Sequence, residues 1–235
     1  MSRPTDLFYK LSGVKHPLSY VETGCYKGAN LERVISGNSY REIHSIELDP
    51  DWFEYNQNRF SHLENVFMHL GDSSVVLKKI DSPSPKTIFL DAHYSGPGTA
   101  FGKLETPLLD ELAALNTSPL DDNTVIVIDD VRMLGFKGLM PGVHYHPFES
   151  DWTDITLERI KEIMGCRYSY VMNYSCWLTE GPEDQLVIFK TSKVRGFAMI
   201  WMSKWIKRFG WTLNPLPKSF KLASKKDITP RGERD

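Results

Sequence analysis

The sequence predicts an α/β fold: a Rossmann-like, doubly wound seven-stranded sheet, mostly parallel with an antiparallel last strand, in a three-layer α/β/α arrangement. Two observations predict it. From residue 19 onward, short apolar runs alternate with helical patterns, as in successive strand–helix units of a parallel sheet. The last two apolar runs have no helical pattern between them, which indicates a closing hairpin. Open sheets of this kind bind ligands at the carboxyl ends of their strands.

The strands are predicted from apolar runs bounded by turn residues, and the helices from the segments between them. The predicted strands are 19–23, 42–48, 65–70, 86–91, 124–129, 168–174 and 185–190. The predicted helices are 28–36, 50–60, 73–80, 106–115 and 153–164. Thr106 can cap the fourth of these helices, and Pro107 suits its first turn.

Residues 131–152 form too long an irregular stretch for a plain connection, so we expect a lid or substrate loop there. Lys137, Tyr145 and Trp152 are candidates to stack on or bond to a sugar. His144 and His146 are expected to line a pocket or to be exposed, because no Cys or further His is near them.

The length of 235 residues, 41% of them hydrophobic, suits one sizeable core, so we predict one domain over 1–190 and an appended basic segment over 191–235. Residues 190–235 carry 12 Lys/Arg against 3 Asp/Glu, and the rest carries 16 against 27. An acidic main domain argues against a nucleic-acid partner. Cys25, Cys166 and Cys176 lack the spacing of a disulfide framework or a zinc knuckle, which favours a reducing compartment.

The N-terminus lacks the apolar core of a signal peptide, and no run of about 18 apolar residues is present to span a bilayer. We therefore expect a cytoplasmic protein that at most attaches to a membrane surface.

Glycines follow the first strand in "YVETGCYKGANLERVI", where Glu22 is followed by Gly24 and Gly28 and then by a helix. Glycines at such a turn make a tight reversal and let the backbone approach a ligand. The spacing differs from the dinucleotide-binding GxGxxG pattern. Because any strand–helix turn favours glycine, this turn alone is a weak signal of function.

The next two strands also end in acids. Glu47 ends the second strand at the position where a carboxylate can accept hydrogen bonds from ribose hydroxyls. Asp72 ends the third, where it can bond an exocyclic adenine amine while Ser73 or Ser74 caps the following helix. Helix capping, as by Asp49, is the alternative explanation for each acid.

With these motifs, "VETGCYKG", "IHSIELDP", "HLGDSS" and "TIFLDAH", the sequence resembles the class I S-adenosylmethionine-dependent methyltransferases over roughly residues 15–190. The resemblance implies S-adenosylmethionine as cofactor, with its methionine end at the glycine turn, its ribose at Glu47 and its adenine at Asp72. The glycine motif departs from the family in reading ExGxxxG rather than ExGxGxG. The implied cofactor-binding residues are Glu22, Thr23, Gly24, Gly28, Glu47, Asp72, Ser73 and Asp91.

Acids also end the fourth and fifth strands, at Asp91 and at the pair Asp129 and Asp130. Neighbouring parallel strands lie about 4.8 Å apart, so these carboxylates can converge on one small volume. Unpaired, they would repel one another, and a hard divalent cation removes that repulsion. We therefore predict Mg²⁺ or Mn²⁺ bound by Asp91, Asp129 and Asp130, with simple capping of the loops as the alternative.

This arrangement resembles the metal-dependent O-methyltransferases, which include catechol and macrolide-sugar enzymes and carry an acid after the fourth strand and an acid pair after the fifth. The Asp-Asp form found here is closer to the sugar enzymes. His93 is a candidate general base, because an unperturbed imidazole titrates near neutral pH, and Asp91 is another. Tyr94 is expected to shape the acceptor pocket.

The predicted function is therefore O-methylation of a sugar or glycan hydroxyl by S-adenosylmethionine with help from Mg²⁺ or Mn²⁺. Two alternatives stay open: a small phenol or catechol as acceptor, and a non-catalytic cofactor-binding module that docks a partner. The "DAH" of residues 91–93 also occurs in arginase-like hydrolases, but their following acid is replaced here by Ser95.

Residues 194–211 predict a basic amphipathic helix. A helical wheel groups Met199, Met202, Trp205, Ile206 and Phe209 on one arc with Ala198, opposite Ser203, Lys204, Lys207 and Arg208. Such a helix suits either an interfacial position on an anionic bilayer or packing against the catalytic domain or a second subunit of a homodimer. The remaining residues to 235 are predicted to be a flexible end.

Overall fold

A computed structural model of the chain describes residues 3–37, 39–117, 120–142, 146–174, 177–180 and 184–213. The predictions for His144, Tyr145, Cys176, the side chain of Phe209 and residues 214–235 lie outside this described part. The strands are β1 Ser19–Thr23, β2 Glu42–Glu47, β3 Val66–Leu70, β4 Lys86–Leu90, β5 Val125–Ile128, β6 Lys137–Pro141, β7 Pro147–Asp151, β8 Tyr168–Met172 and β9 Leu186–Lys190. The helices are α1 Asp6–Ser12, α2 Ala29–Ser36, α3 Pro50–Phe60, α4 Ser73–Val76, α5 Leu108–Leu115, α6 Leu157–Met164 and α7 Lys193–Leu213.

Seven strands form one sheet in the order β3-β2-β1-β4-β5-β9-β8, and β6 and β7 form a separate hairpin. The pairs β1–β2, β1–β4, β2–β3 and β4–β5 are parallel, whereas β9 runs antiparallel to both β5 and β8. The predicted fold class is confirmed. From β1 the chain builds outward on one side through β2 and on the other through β4, so the crevice expected of a doubly wound sheet opens at the carboxyl ends of these strands.

Strand β1 is buried along its whole length because both faces of the sheet are covered. Neighbouring residues of a strand point to opposite faces, and Tyr20 and Val21 accordingly belong to two different apolar clusters. Leu31 of α2 packs in the first cluster and Leu112 of α5 in the second. The predicted three-layer arrangement follows.

Three helix starts show how local sequence sets the boundaries. Helix α3 begins at Pro50 as predicted, since Asp49 Oδ1 accepts hydrogen bonds from the amides of Asp51 and Trp52 at 2.8 and 3.2 Å. Helix α4 is only four residues long, and its cap is Asp72 rather than Ser73 or Ser74, so that prediction was wrong. Helix α5 begins two residues later than predicted, at Leu108, although the Thr106 hydroxyl accepts from the Leu108 amide at 3.3 Å.

The stretch 131–152 is more regular than the sequence predicts, with a 3-10 turn at Val131–Met133 followed by the β6–β7 hairpin. Pro141 and Pro147 lie in these two strands. Because proline in a sequence argues against a strand, the hairpin was not predicted. Helix α1 was also not predicted. Thr5 caps it by accepting from the Phe8 amide at 3.0 Å, and Phe8 is fully buried.

Helix α7 packs on β8 and α1. Met199 and Ser203 are both buried in this contact, although the helical wheel places Ser203 opposite the apolar arc. Trp205, expected on the apolar arc, is 43% exposed. Gly196 lies against Ser169 and Thr191 so closely that a Cβ atom would clash. Among the described residues, no helix combines the length and the apolar character needed to cross a bilayer.

Candidate active site

A cavity of about 410 Å³ opens at the carboxyl ends of β1 to β5. Predicted site residues that line it are Gly24, Glu47, Asp72, Ser73, Asp91, His93, Asp129 and Asp130. The other three, Glu22, Thr23 and Gly28, are not among the lining residues. The sequence therefore identified the edge of the sheet at which the cavity opens, and eight of the eleven predicted site residues line it.

Gly24 turns the chain after β1 with a left-handed φ of +77°. A Cβ atom here would lie 2.6 Å from the carbonyl oxygen of Asp91 and 3.0 Å from the Cα of Ala92. Two backbones thus meet at this point, and only glycine fits between them. From the sequence we expected the backbone at Gly24 to approach a ligand closely. In the described chain, this backbone closely approaches the residues that follow β4.

Glu47 holds the loop after β1 in place. Its Oε2 accepts from the amide of Tyr26 at 2.7 Å, and its Oε1 accepts from the amides of Leu48 and Asp49 at 2.8 and 2.9 Å. Tyr26 adopts a left-handed φ of 47°, which this hydrogen bond helps to support. A carboxylate has roughly four acceptor positions, so about one remains for a ribose hydroxyl.

Glu22 is buried beneath the cavity, where the Ser45 hydroxyl and the Asn30 amide donate to its two oxygens at 2.7 Å each. Burial raises the pKa of Glu22 to about 7, even though these two hydrogen bonds act in the opposite direction. Thr23 Oγ1 accepts from the Asp91 amide at 3.2 Å, which fixes the start of the loop after β4. These two side chains support the site from below.

Gly28 and Asp72 are the N-cap residues of helices α2 and α4. Gly28 is the N-cap of α2 with a left-handed φ of +73°, and a Cβ atom on it would clash with the Asn56 side chain. Asp72 Oδ1 accepts from the amide and the hydroxyl of Ser74 at 2.9 and 2.6 Å. Asp72 therefore caps α4 and lines the cavity at once.

Asp91, His93 and Asp130 form a compact group at the ends of β4 and β5. His93 Nδ1 lies 3.4 Å from Asp91 Oδ1, and His93 Nε2 lies 2.9 Å from Asp130 Oδ2. One potential ligand atom from each residue can be chosen so that all three lie within 4.8 Å of one another, which suits a metal ion. The predicted ligands Asp91 and Asp130 are thus brought together, and the third member is His93.

The electrostatics of this group are set by the two carboxylates. Burial alone would lower the pKa of His93, but the hydrogen bonds and charges of Asp130 and Asp91 raise it to about 10. The imidazole is therefore protonated at neutral pH. Burial raises the pKa of Asp91, whereas His93 and Arg132 outweigh burial at Asp130 and lower its pKa.

Asp129 lines the cavity but is not part of the three-residue group. Its Oδ1 is buried and has no hydrogen-bond partner among the described residues. Burial, followed by the charges of Asp91 and Asp130, raises the pKa of Asp129 to about 7. The two adjacent acids therefore differ: Asp130 is held in ion pairs, and Asp129 lies outside the three-residue group with a raised pKa.

Arg132 is a site residue that the sequence reasoning missed. Its guanidinium lies 2.5 Å from Asp130 Oδ1 and also pairs with Asp184, and its amide donates to Asp184 Oδ1 at 2.7 Å. Asp130 itself has a left-handed φ of 53°, unusual for a residue other than glycine. Arg132 therefore links Asp130, at the turn after β5, to Asp184 before β9.

Trp152 was misjudged, and Glu105 was missed. Trp152 is only 2% exposed and packs edge-on against His93 with ring centroids 5.6 Å apart, so it is not available to stack on a sugar as expected. Its indole N–H donates to Glu105 Oε1 at 3.0 Å, and the Asp151 amide donates to Glu105 Oε2 at 2.9 Å. Glu105, which lines the cavity, thereby ties the β6–β7 hairpin to the site.

Other residues of these loops fall as expected or outside the cavity. Tyr94 lines it and packs edge-on between Phe101 and Phe148 at 5.1 and 5.2 Å. Lys137 is exposed and pairs with Asp151 on the outer side of the hairpin.

No family model and no curated protein matches the sequence. Solved structures with a similar fold include the amino pentose methyltransferase CalS10 of Micromonospora echinaspora, at 15% identity and a TM-score of 0.46 over 79% of this chain and 89% of that one. The O-methyltransferase TomG of Streptomyces achromogenes matches at 15% and 0.46, over 79% and 78%. A putative caffeoyl-CoA O-methyltransferase of Staphylococcus aureus matches at 14% and 0.47, over 79% and 81%.

Proposed function

We propose that this chain is an S-adenosylmethionine-dependent O-methyltransferase that methylates a hydroxyl of a sugar or glycan with the help of a divalent metal ion. The observation that carries the proposal is the composition of one cavity. The loops after β1, β2 and β3 line it with Gly24, Glu47 and Asp72, and the loops after β4 and β5 line it with Asp91 and Asp130. A nucleoside site and a metal site thus adjoin at the crevice of a doubly wound sheet.

The half of the cavity beside β2 and β3 supports binding of the cofactor. Glu47 retains roughly one acceptor position for a ribose hydroxyl, and Asp72 lies at the end of the neighbouring strand. Leu48 and Val75 line the same half with exposed apolar side chains, which offer a surface to a base. S-adenosylmethionine bound here supplies the methyl group.

The half beside β4 and β5 fits a divalent cation by its donor set. Two carboxylates and one imidazole provide charge and three ligand atoms, and waters or substrate oxygens can complete the coordination. The imidazole favours Mn²⁺ over Mg²⁺, which is bound mainly by oxygen. Such an ion would lower the pKa of a substrate hydroxyl that binds beside it.

The chain's own residues then have distinct roles. Asp91, His93 and Asp130 would hold the cation, and Trp152 supports the His93 ring through an edge-to-face contact. We assign Asp129 as the general base, because both nitrogens of His93 face carboxylates, whereas Asp129 lines the cavity outside the three-residue group and its pKa is raised to about 7, near neutral pH. This assignment replaces His93 and Asp91, the bases expected from the sequence.

The reaction forms a bond between the acceptor oxygen and the methyl carbon and breaks the bond between that carbon and the sulfonium sulfur. The products are a methyl ether and S-adenosylhomocysteine. The hydroxyl proton passes to Asp129 and the sulfonium loses its positive charge, so atoms and charges balance.

The loop after β4 supports a sugar-sized acceptor. Ser95, Thr99 and Lys103 offer polar groups to the cavity, and Tyr94 offers one aromatic ring. Polar groups beside an aromatic face suit a sugar. A phenol or catechol is the second candidate, favoured by the exposed ring of Phe101 next to Tyr94.

The test is formation of S-adenosylhomocysteine from S-adenosylmethionine and Mn²⁺ with panels of nucleotide sugars, glycans and phenols. Cofactor binding is measured first, by calorimetry. The Asp130→Asn variant should bind the cofactor normally and lose turnover. A protein that binds no S-adenosylmethionine contradicts the proposal outright. If turnover survives metal chelation, the enzyme is a methyltransferase that does not need a metal. If the protein binds the cofactor but turns over no substrate of any panel, a non-catalytic binding module is favoured.

A further inference from the structure

Helix α7 has an inner face that is fully engaged with the domain. Met199 and Ser203 are buried against it, and Gly196 permits close contact with Ser169 of β8. Packing against the domain accounts for the residues of this inner face. It does not account for the residues of the opposite, outer face of the helix.

That outer face carries a row of large apolar side chains. Val194 is 80% exposed, Phe197 73% and Trp201 53%, and Trp205 continues the row. At about 100° per residue, these positions fall within one arc of the helix, directed away from Met199 and Ser203. Four such side chains in a row are more than the scattered exposed apolar residues of an ordinary surface.

The charge around this row has a single sign. Lys204 and Arg208 are exposed on the same helix. From residue 191 to residue 226 the sequence contains nine Lys/Arg and no Asp or Glu. Cations that flank an apolar row containing tryptophan match an anionic headgroup layer above acyl chains.

We propose that the outer face of α7 docks on the surface of an anionic lipid bilayer, with the helix parallel to the membrane plane. Phe197 and Trp201 enter the headgroup region, and Lys204 and Arg208 face lipid phosphates. A second copy of the chain fits this face less well, because a two-fold contact through α7 would bring two acid-free, basic helices together. The proposal does not depend on the methyltransferase activity.

The test is co-flotation of the full-length protein with phosphatidylcholine vesicles that either lack or contain about 30% phosphatidylserine. We expect flotation with the anionic vesicles only, and a marked loss of it as salt shortens the screening length. Equal binding to both kinds of vesicle, or to neither, overturns the proposal.

Two variants identify the contact. Phe197→Ser with Trp201→Ser should weaken binding to the anionic vesicles about tenfold or more, and Lys204→Ala with Arg208→Ala roughly fivefold for each charge removed. Tyr55→Ser is the matched control, an aromatic side chain 50% exposed on α3, and should bind like the parent. Thermal melting verifies that each variant is folded. Unchanged binding by Phe197→Ser/Trp201→Ser, or a solution dimer which that change dissociates, contradicts a lipid partner.

Discussion

His93 Nε2 lies 2.9 Å from Asp130 Oδ2 at the ends of two adjacent parallel strands. Together with Asp91, this contact raises the pKa of His93 to about 10, although burial acts against it. In the metal-free protein the imidazole therefore carries a proton that a metal must displace, because only the neutral ring is a ligand.

The first prediction is that Mn²⁺ affinity rises with pH. Below a pKa of about 10, each unit of pH should increase the apparent affinity about tenfold while one proton is released per ion bound. Calorimetry in buffers of different ionisation enthalpy measures both quantities. His93→Ala should bind more weakly and without this release, and a flat profile in the parent protein would show that His93 is not a ligand.

The second prediction separates the two adjacent acids. Asp130→Asn keeps a side chain that tolerates the left-handed backbone and removes a ligand charge, so Mn²⁺ affinity should fall by about a hundredfold. Asp129→Asn should leave Mn²⁺ affinity nearly unchanged and lower turnover by about 10² to 10⁴. Mn²⁺ titration and S-adenosylhomocysteine release measure the two effects. If Asp129→Asn instead lowers Mn²⁺ affinity and Asp130→Asn does not, Asp129 is a metal ligand and not the general base.

This difference between neighbours explains what a sequence can and cannot predict of the site. The apolar runs before Glu47, Asp91 and Asp129 place each acid at a strand end, and parallel strands bring those ends together. Which of two consecutive acids faces the metal depends on the backbone after β5, where Asp130 has a left-handed φ. No residue pattern encodes that conformation.

The parts that were missed depend on contacts between distant residues. Glu105 and Trp152 are far apart in the chain, and so are Arg132 and Asp184, so the tertiary fold and not the local sequence brings each pair together. The β6–β7 hairpin was obscured by its prolines. Helix α1 is seven residues long, too short for a clear period in the sequence.

The third prediction tests the approach of Gly24 to Asp91. Gly24→Ala should destabilise the protein by about 2 to 4 kcal/mol, because it adds backbone strain and a Cβ atom that overlaps a carbonyl oxygen. Gly135→Ala is the matched control: its φ is +72°, and nothing lies within 4 Å of its added Cβ. It should cost only about 1 kcal/mol, from strain alone. Urea unfolding measures both, and equal costs would mean that the loop relaxes around Gly24.

The fourth prediction concerns the attachment of the hairpin. Glu105→Ala leaves the buried Trp152 N–H and the Asp151 amide without their acceptor, which should cost about 2 to 4 kcal/mol. It should also lower turnover, since Trp152 packs on His93. Glu149→Ala, an exposed change on the same hairpin, is the control and should alter neither quantity. If both variants unfold at the same urea concentration, Glu105 does not anchor the hairpin.

The fifth prediction uses Glu111, a residue of α5 that is buried beside the site and has one oxygen without a partner among the described residues. Burial raises the pKa of Glu111 from 4.5 to about 7, so the folded state holds this proton more tightly than the unfolded state does. The stabilising contribution of the protonated form is complete below the unfolded pKa and is lost as the pH rises through the folded pKa. Glu111→Gln cannot titrate and should escape this loss.

Relative to the parent, Glu111→Gln should therefore gain about 2 kcal/mol of unfolding free energy between about pH 5 and pH 8. Urea unfolding of both proteins at the two pH values gives this double difference. Any constant cost of placing an amide where the carboxyl was cancels from it, and so do the contributions of Glu22 and Asp129, whose pKa values are also raised to about 7. A double difference near zero would show that Glu111 is solvated or paired in solution.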